Sequence, residues 1–317
     1  MLFLGIDGGG TATRAAIATQ EGRVVALGTS RGSNYQSVGA QQARESIDEA
    51  VADAFEQAAR ARRMCNAAFL GMAGVVSPTD RSTMLDIVAG LGLAGTITVD
   101  HDIRTALAGG LAGKEGIALI AGTGSSCYGR RDDGRDHRAG GWGALLDDAG
   151  GGYWIGLEGL KGIVRSADGR GQQSSLLPLL SDALRLASLD DLLRRSGIQG
   201  LDKETIAALA PIVMEAAREG DELARAIMRN GARELSLMIA SVHRRLWKEG
   251  GAIPLVVGVG GLLKNQAYRD MVEPHPLRPI LPPVLGALLL AMESVGVRFD
   301  EDVVTTMQRT FAHNDSR

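Results

Sequence analysis

Short apolar runs broken by glycine recur through the first half of the chain. Residues 2–6 (LFLGI) lead into Asp7 and three glycines, a pattern that predicts a buried strand. TRAAIAT (13–19) predicts a second strand, Gly22 marks a polar turn, and VVALGTS (24–30) predicts a third. The opening is therefore a β-meander. Over 40–63 the period lengthens, and Ile47, Val51, Ala54, Phe55 and Ala58 fall on one face of a helix. AAFLGMAGV (67–75) predicts another buried strand. SPTDRSTMLDIVAGLG (77–92) predicts a helix with Ser77 as N-cap and Pro78 at the first helical position. TITVD (96–100) reads as a strand, and HDIRTALAGGLAG (101–113) as a helix beginning near Asp102.

The pattern then repeats. GIALIAGTGSSCYGRRDDGRDHRAGG (116–141) is again strand, glycine turn, strand, polar turn with Gly134, strand. Two meanders, each with a Gly/Thr turn after its first strand, suggest a duplicated α/β lobe. The second half reads as mostly helical. Residues 205–218 and 221–249 are periodic, the latter through Leu223, Ile227, Leu235, Met238, Ile239, Val242 and Leu246. IPLVVGVGGLLKN (253–265) predicts a strand and a Gly-Gly turn, and LPPVLGALLLAMESVG (281–296) a last apolar helix. The final dozen residues are polar and are expected to fray.

A chain of 317 residues exceeds what one core usually spans, so two lobes are expected. The charge of −3 lacks the basic excess of a nucleic-acid protein. The arginine clusters at 60, 62 and 63, at 130 and 131, and at 244 and 245 read as solvated faces. Cys65 and Cys127 lie far apart with no CxxC context, as reduced thiols do. No basic leader precedes an apolar run, and none approaches the roughly 18–20 apolar residues of a membrane helix. A cytoplasmic protein is expected, with neither nucleic acid nor membrane as partner and with a homodimer admitted.

The glycine turns carry the chemistry. In the first, Gly8–Gly10 run from strand into strand, whereas a dinucleotide fold needs GxGxxG from strand into helix, so that reading is rejected. No Walker A sequence is present either. Glycine instead lets backbone N–H groups approach a bulky anion. Gly9, Gly10 and Thr11 in the first turn, and Gly122, Thr123 and Gly124 in the second, are candidates for phosphate binding. Asp7 beside a phosphate would be repelled unless a cation lay between them, and Mg²⁺ bridges carboxylate to phosphate. Asp7 is thus the candidate metal ligand.

GIDGGGT, GMAG, HDIRTAL, IAGTGSS, GGWGALLDDAGGGYWIG, VGVGGLLKN and LPPVLGALLLA occur in order over about residues 3–295. Together they resemble the BadF/BadG/BcrA/BcrD-type ATPase family, and within it the N-acetylglucosamine kinases of the sugar-kinase, actin and heat-shock ATPase superfamily. The resemblance implies two ribonuclease H-like α/β lobes closing over a cleft, with ATP between the glycine turns. The first lobe is expected to comprise residues 1–110 and 285–317, the second residues 111–284 with helical additions.

The resemblance also implies residue roles. The family's base lies in a segment like HDIRTAL, which points to Asp102, with Asp100 as its rival and a helix cap as the plain alternative. Asn34, Trp142, Gly143 and Asp148 are implied to bind the sugar together with Asp102. Gly260, Gly261 and Asn265 are implied to hold the nucleotide, while Lys264 reads as an exposed lysine after a turn. Where relatives read close to GDEGSG, this chain has Asp147, Asp148, Ala149, Gly150 and Gly151. That departure bears on which sugar is bound. The implied activity is ATP- and Mg²⁺-dependent phosphorylation of an amino sugar, most readily N-acetylglucosamine at its 6-hydroxyl, with glucosamine or a muramic-type sugar as alternatives. A reductase or dehydratase activator and a non-catalytic sugar sensor are the other classes.

Overall fold

The computed structural model describes residues 1–59, 61–197, 201–247 and 254–315. Arg60 of the first arginine cluster, positions 248–249 of the expected long helix and Ile253 of the expected strand lie outside the described residues. In chain order the elements are β1 (Leu2–Gly8), β2 (Ala12–Thr19), β3 (Val24–Arg31), α1 (Tyr35–Val38), α2 (Ala40–Gln57), β4 (Cys65–Met72), α3 (Pro78–Val88), β5 (Ala94–His101) and α4 (Asp102–Gly110). Next come β6 (Gly116–Ala121), β7 (Ser125–Arg130), β8 (Asp136–Gly140), α5 (Gly152–Ala167), α6 (Leu176–Ala183), α7 (Leu189–Gly197), α8 (Lys203–Ala207), α9 (Ala210–Glu219) and α10 (Glu222–Leu246). The chain ends with β9 (Val256–Val259), α11 (Gln266–Asp270), α12 (Pro283–Glu293) and α13 (Glu301–Asp315). Two compact units result, residues 1–115 with 279–317 and residues 116–278. The divisions fall at Glu115/Gly116 and Arg278/Pro279, rather than at 110/111 and 284/285. The chain at 280–281 belongs with α4, because the Ile280 and Leu281 N–H groups donate to the Gly110 and Gly109 carbonyls.

The first unit is a five-stranded sheet, ordered β3-β2-β1-β4-β5, with helices on both faces. The alternation along β1 sorts its side chains. Leu2, Leu4 and Ile6 join one core with Ile47, Val51, Met84 and Ile87 from α2 and α3. Phe3 joins the other, with Leu285 and Leu288 from α12. Gly5 also faces α12, and a Cβ there would lie 2.6 Å from the Val284 carbonyl oxygen, so the helix rests on the strand itself. Beyond α12 the expected frayed end is corrected, since residues 301–315 form α13. Met307 is buried against the α12 core with Val303, Val304 and Phe311 beside it. The Val24 N–H donates to Thr310 Oγ1 at 3.0 Å, and Asn314 donates to the Val24 carbonyl at 3.0 Å. A few apolar residues at helical spacing suffice to dock a polar helix.

The second unit has a four-stranded sheet ordered β8-β7-β6-β9. It repeats β3-β2-β1-β4 strand for strand, each a meander with a parallel strand added on the β1 or β6 side. Ile117, Leu119 and Ala121 pack with side chains of α5, α9 and α10. The single helix expected over 205–218 is two, α8 and α9, with Pro211 in the first turn of the second. The periodicity did not expose α5, whose glycines disfavour a helix in isolation. Their purpose is contact: a Cβ on Gly156 would lie 2.0 Å from the Ile206 carbonyl oxygen. Among the described residues no helix is long and apolar enough to cross a membrane.

Candidate functional site

In the first unit, β1, β4 and β5 run parallel and end at one rim, where Asp7, Gly71 and Asp100 stand in register. Asp102 follows in the first turn of α4, and His101 rather than Asp102 occupies the N-cap. Gly71 admits α4 closely, since a Cβ there would lie 2.3 Å from the Thr105 methyl. Asp7 is thereby exposed to the charge of Asp102. Burial foremost, and that charge second, push the Asp7 carboxyl up to about 7 against the opposing pull of Arg14.

Asp100 is differently placed. Arg81 donates to its Oδ1 from Nε at 3.0 Å and Nη2 at 2.7 Å, and Arg104 Nη1 donates to Oδ2 at 2.6 Å. Burial raises its carboxyl, but His101 and the two guanidiniums outweigh burial and hold it below the ordinary range. A carboxylate gripped by two arginines is a poor proton acceptor, so the rival candidate fits a structural role.

The first glycine turn is locked from behind. The Gly9 N–H donates to the Ala12 carbonyl at 2.9 Å, and the Gly9 carbonyl accepts from Ser33 at 3.0 Å. Gly10 and Thr11 are exposed, and their N–H groups have no protein acceptor among the described residues. The oxygen donors at this rim suit a hard cation, and two mutually repelling carboxylates, one with a raised pKa, would be relieved by it. Asp7 would be its ligand. Among the described residues no three of His, Cys, Asp and Glu gather as a metal cluster, so phosphate and water would complete the shell.

Asn34 caps α1, its Oδ1 accepting the Gln36 N–H at 3.2 Å. It is also held against the loop after β4: Gln36 donates to the Gly74 carbonyl at 2.7 Å, and a Cβ on Gly74 would meet Asn34 Oδ1 at 2.3 Å. Tyr35 donates to Asp80 at 2.5 Å, inside the capping box that Asp80 forms with Ser77. Asn34 thus stands in a braced loop of the same unit as Asp7 and Asp102.

In the second unit the Gly122–Gly124 turn meets the start of α5. Gly152 and Tyr153 donate their N–H groups to the Gly122 and Thr123 carbonyls at 2.8 and 2.9 Å. With those carbonyls engaged, the N–H groups of Thr123 and Gly124 have no protein acceptor among the described residues. Gly260 has φ +106°, and a Cβ on it would lie 2.4 Å from the Ala121 carbonyl oxygen, so the turn after β9 sits on the Gly122–Gly124 turn. Beside them opens a cavity of about 660 Å³, lined by Gly122, Thr123, Gly261 and Asn265 together with Gly152, Ala207 and Met214. That volume suits a small-molecule ligand. A larger cavity of about 920 Å³, lined by α5, α7 and residues near them, touches none of the glycine turns. Asn265 caps α11 through Oδ1, which accepts the Tyr268 N–H at 3.1 Å. Lys264 is exposed and does not line the cavity.

Trp142 is 69% exposed, with the Arg138 guanidinium 5.5 Å over its ring, and Gly143 follows with φ +89°. Asp148 is buried against Gly124. The departure at 151 has a packing reason, because a Cβ on Gly151 would lie 2.6 Å from the Gly124 backbone. The structure thus brings Asp7, Asp102, Asn34 and the first glycine turn into one unit. Gly122, Thr123, Gly124, Gly260, Gly261, Asn265, Trp142, Gly143 and Asp148 are in the other. Sequence reasoning missed Arg81, Arg104, Lys203 and the α8–α9 wall of the cavity. The only sequence signal for any of them is the four-residue spacing of Asp100 and Arg104.

The BadF/BadG/BcrA/BcrD ATPase family matches residues 4–291. The N-acetylmuramic acid/N-acetylglucosamine kinase of Clostridium acetobutylicum is 35% identical over 265 residues, covering 84% of this chain and 86% of that protein. The N-acetyl-D-glucosamine kinase of Dictyostelium discoideum is 32% identical over 321 residues, covering 92% and 98%. A solved structure from Chromobacterium violaceum, of a protein proposed to be an N-acetylglucosamine kinase, is 26% identical with a TM-score of 0.77, covering 92% of this chain and 98% of that one. The two sheets and their helices accordingly have the ribonuclease H-like, actin-like ATPase fold. With a match running from β1 into α12, the chain belongs to the BadF/BadG/BcrA/BcrD ATPase family.

Proposed function

We propose that the chain transfers the γ-phosphoryl group of ATP to the 6-hydroxyl of an amino sugar, N-acetylglucosamine before others. One observation carries the reading. Asp7 and Asp102 sense each other at the rim of the first sheet, while Asp100 is tied down by two arginines. Phosphoryl transfer needs one group to orient the nucleophile and others to neutralise charge. Asp102 accepts the proton of the sugar 6-hydroxyl as its oxygen bonds to the γ-phosphorus and the bond to the β–γ bridging oxygen breaks, leaving ADP. Mg²⁺, when bound at Asp7, supplies charge neutralisation on the phosphates. The unpartnered N–H groups of the glycine turns receive phosphate oxygens, and the cavity beside Gly261 and Asn265 receives the rest of the nucleotide. Asn34, Trp142, Gly143 and Asp148 hold the sugar.

The two relatives described above carry N-acetylglucosamine in their names, while a glucosamine kinase of Vibrio cholerae is less similar at 26% identity, which favours N-acetylglucosamine over glucosamine or a muramic-type sugar alone. The reductase-activator reading is disfavoured by the thiols. Both cysteines are buried, and burial pushes the Cys65 thiol up to about 11 and the Cys127 thiol higher still. Iron–sulfur ligands are thiolates. A coupled ADP-release screen over amino and neutral hexoses tests the proposal. Sugar-dependent turnover greatest with N-acetylglucosamine is expected, and turnover with neutral hexoses alone would refute it.

A further inference from the structure

Asp148 presses a negative charge against the second glycine turn. It is 4% exposed, and its backbone is left-handed, φ +62°, a conformation Asp tolerates better than most residues. A Cβ on Gly124 would lie 2.6 Å from Asp148 Oδ2, and the Ser125 N–H points at Oδ1 from 3.4 Å. Phosphates held by the N–H groups of Thr123 and Gly124 would lie close to this carboxylate, which rests on Gly124 behind the cavity rather than lining it. Like charges a few ångströms apart in a partly buried site repel strongly. One cation answers it among the described residues: Lys203 Nζ donates to Asp148 Oδ2 at 3.0 Å. Lys203 opens α8, and Glu204 and Ala207 of the same helix line the cavity that Gly122 and Thr123 line. The lysine lies 55 residues from its partner and in none of the recognised motifs.

We propose that Lys203 is a positioning residue that neutralises Asp148 and so allows nucleotide phosphates to approach the Gly122–Gly124 turn. The inference rests on the reading of that turn as a phosphate site. It makes the charge balance of the pair, rather than the lysine alone, the quantity that sets nucleotide affinity.

Calorimetry with Mg–ADP and Mg–AMPPNP on the full chain tests it. Lys203→Met, close in shape and without charge, should weaken nucleotide binding about tenfold or more. Lys203→Arg should keep affinity within about twofold. Adding Asp148→Asn to Lys203→Met should return nucleotide affinity to within about twofold of the parent, because the uncompensated charge is gone. A double variant as weak as Lys203→Met would overturn the proposal, since Lys203 would then act on the nucleotide directly. Unchanged affinity in Lys203→Met would overturn it too. Gly122→Val separates the parent reading: if that variant binds nucleotide normally, the turn is not the phosphate site and the inference falls with it. Should Lys203→Met fail to fold, Lys203→Gln carries the same comparison.

Discussion

Asp102→Asn preserves the shape of the side chain and removes its ability to take a proton. Loss of a general base costs about 10²–10⁴-fold in rate, or roughly 3–5 kcal/mol of transition-state stabilisation. The structure adds a second consequence. The Asp102 charge is one of two influences that raise the Asp7 carboxyl to about 7, so the substitution should lower that value while burial keeps it above the ordinary range. The rival substitution behaves differently. Asp100→Asn leaves Arg81 and Arg104 without their shared carboxylate. Breaking a buried pair costs about 3–5 kcal/mol, and here less, because the Arg81 side chain is 38% exposed. Asp100→Asn should therefore lower Tm by roughly 5 °C or more and largely keep turnover per folded molecule. Asp102→Asn should keep Tm and lose turnover. Coupled ADP release gives kcat, thermal melts give Tm, and calorimetry confirms that Asp102→Asn still binds sugar. If Asp102→Asn keeps kcat within about tenfold of the parent while Asp100→Asn loses it at unchanged Tm, the base has been misassigned.

Asp7→Ala should depress kcat and raise the Mg²⁺ concentration needed for half-maximal rate, with sugar affinity in the absence of nucleotide little changed; Mg²⁺ titrations and calorimetry check both. Gly260→Ala meets a positive φ and a carbonyl oxygen 2.4 Å away. It should cost at least about 1–3 kcal/mol by denaturant unfolding and weaken ATP more than sugar. The pH dependence of stability follows from Asp100, whose carboxyl is depressed in the folded state. Such a group stabilises fully above its unfolded value, about 3.9, and loses that contribution as pH falls through its folded value. Acid melts of the parent should thus fall off below about pH 4, and Asp100→Asn should flatten that limb.

The first strands of both meanders were legible because each is a short apolar run closed by glycine, and the two turns announced the repeat. Ser77 and Pro78 were legible because capping is local chemistry, and Ser77 does cap α3. What was hidden depends on contacts across long sequence separations. α5 reads poorly as a helix because its glycines serve close packing, as Gly156 against Ile206 shows. α13 reads as a polar tail because its docking rests on a few residues such as Met307. The same holds at the candidate site. Asp7 and Asp102 stand out in motifs, and the resemblance already pointed to Asp102 over Asp100. A physical reason for that preference needs Arg81 as well as Arg104, and no spacing rule links Arg81 to Asp100, 19 residues later in the chain. Lys203 lies equally outside any motif, and only its 3.0 Å bond to Asp148 marks it.

Phosphorus NMR of a reaction containing the protein, Mg–ATP and N-acetylglucosamine is the most direct test of sugar phosphorylation. A phosphomonoester signal coupled to the C6 protons of the sugar should grow as ATP becomes ADP, and it should be lost in Asp102→Asn. ATP consumption that yields inorganic phosphate with no amino-sugar phosphate, across N-acetylglucosamine, glucosamine and N-acetylmuramic acid, would contradict it.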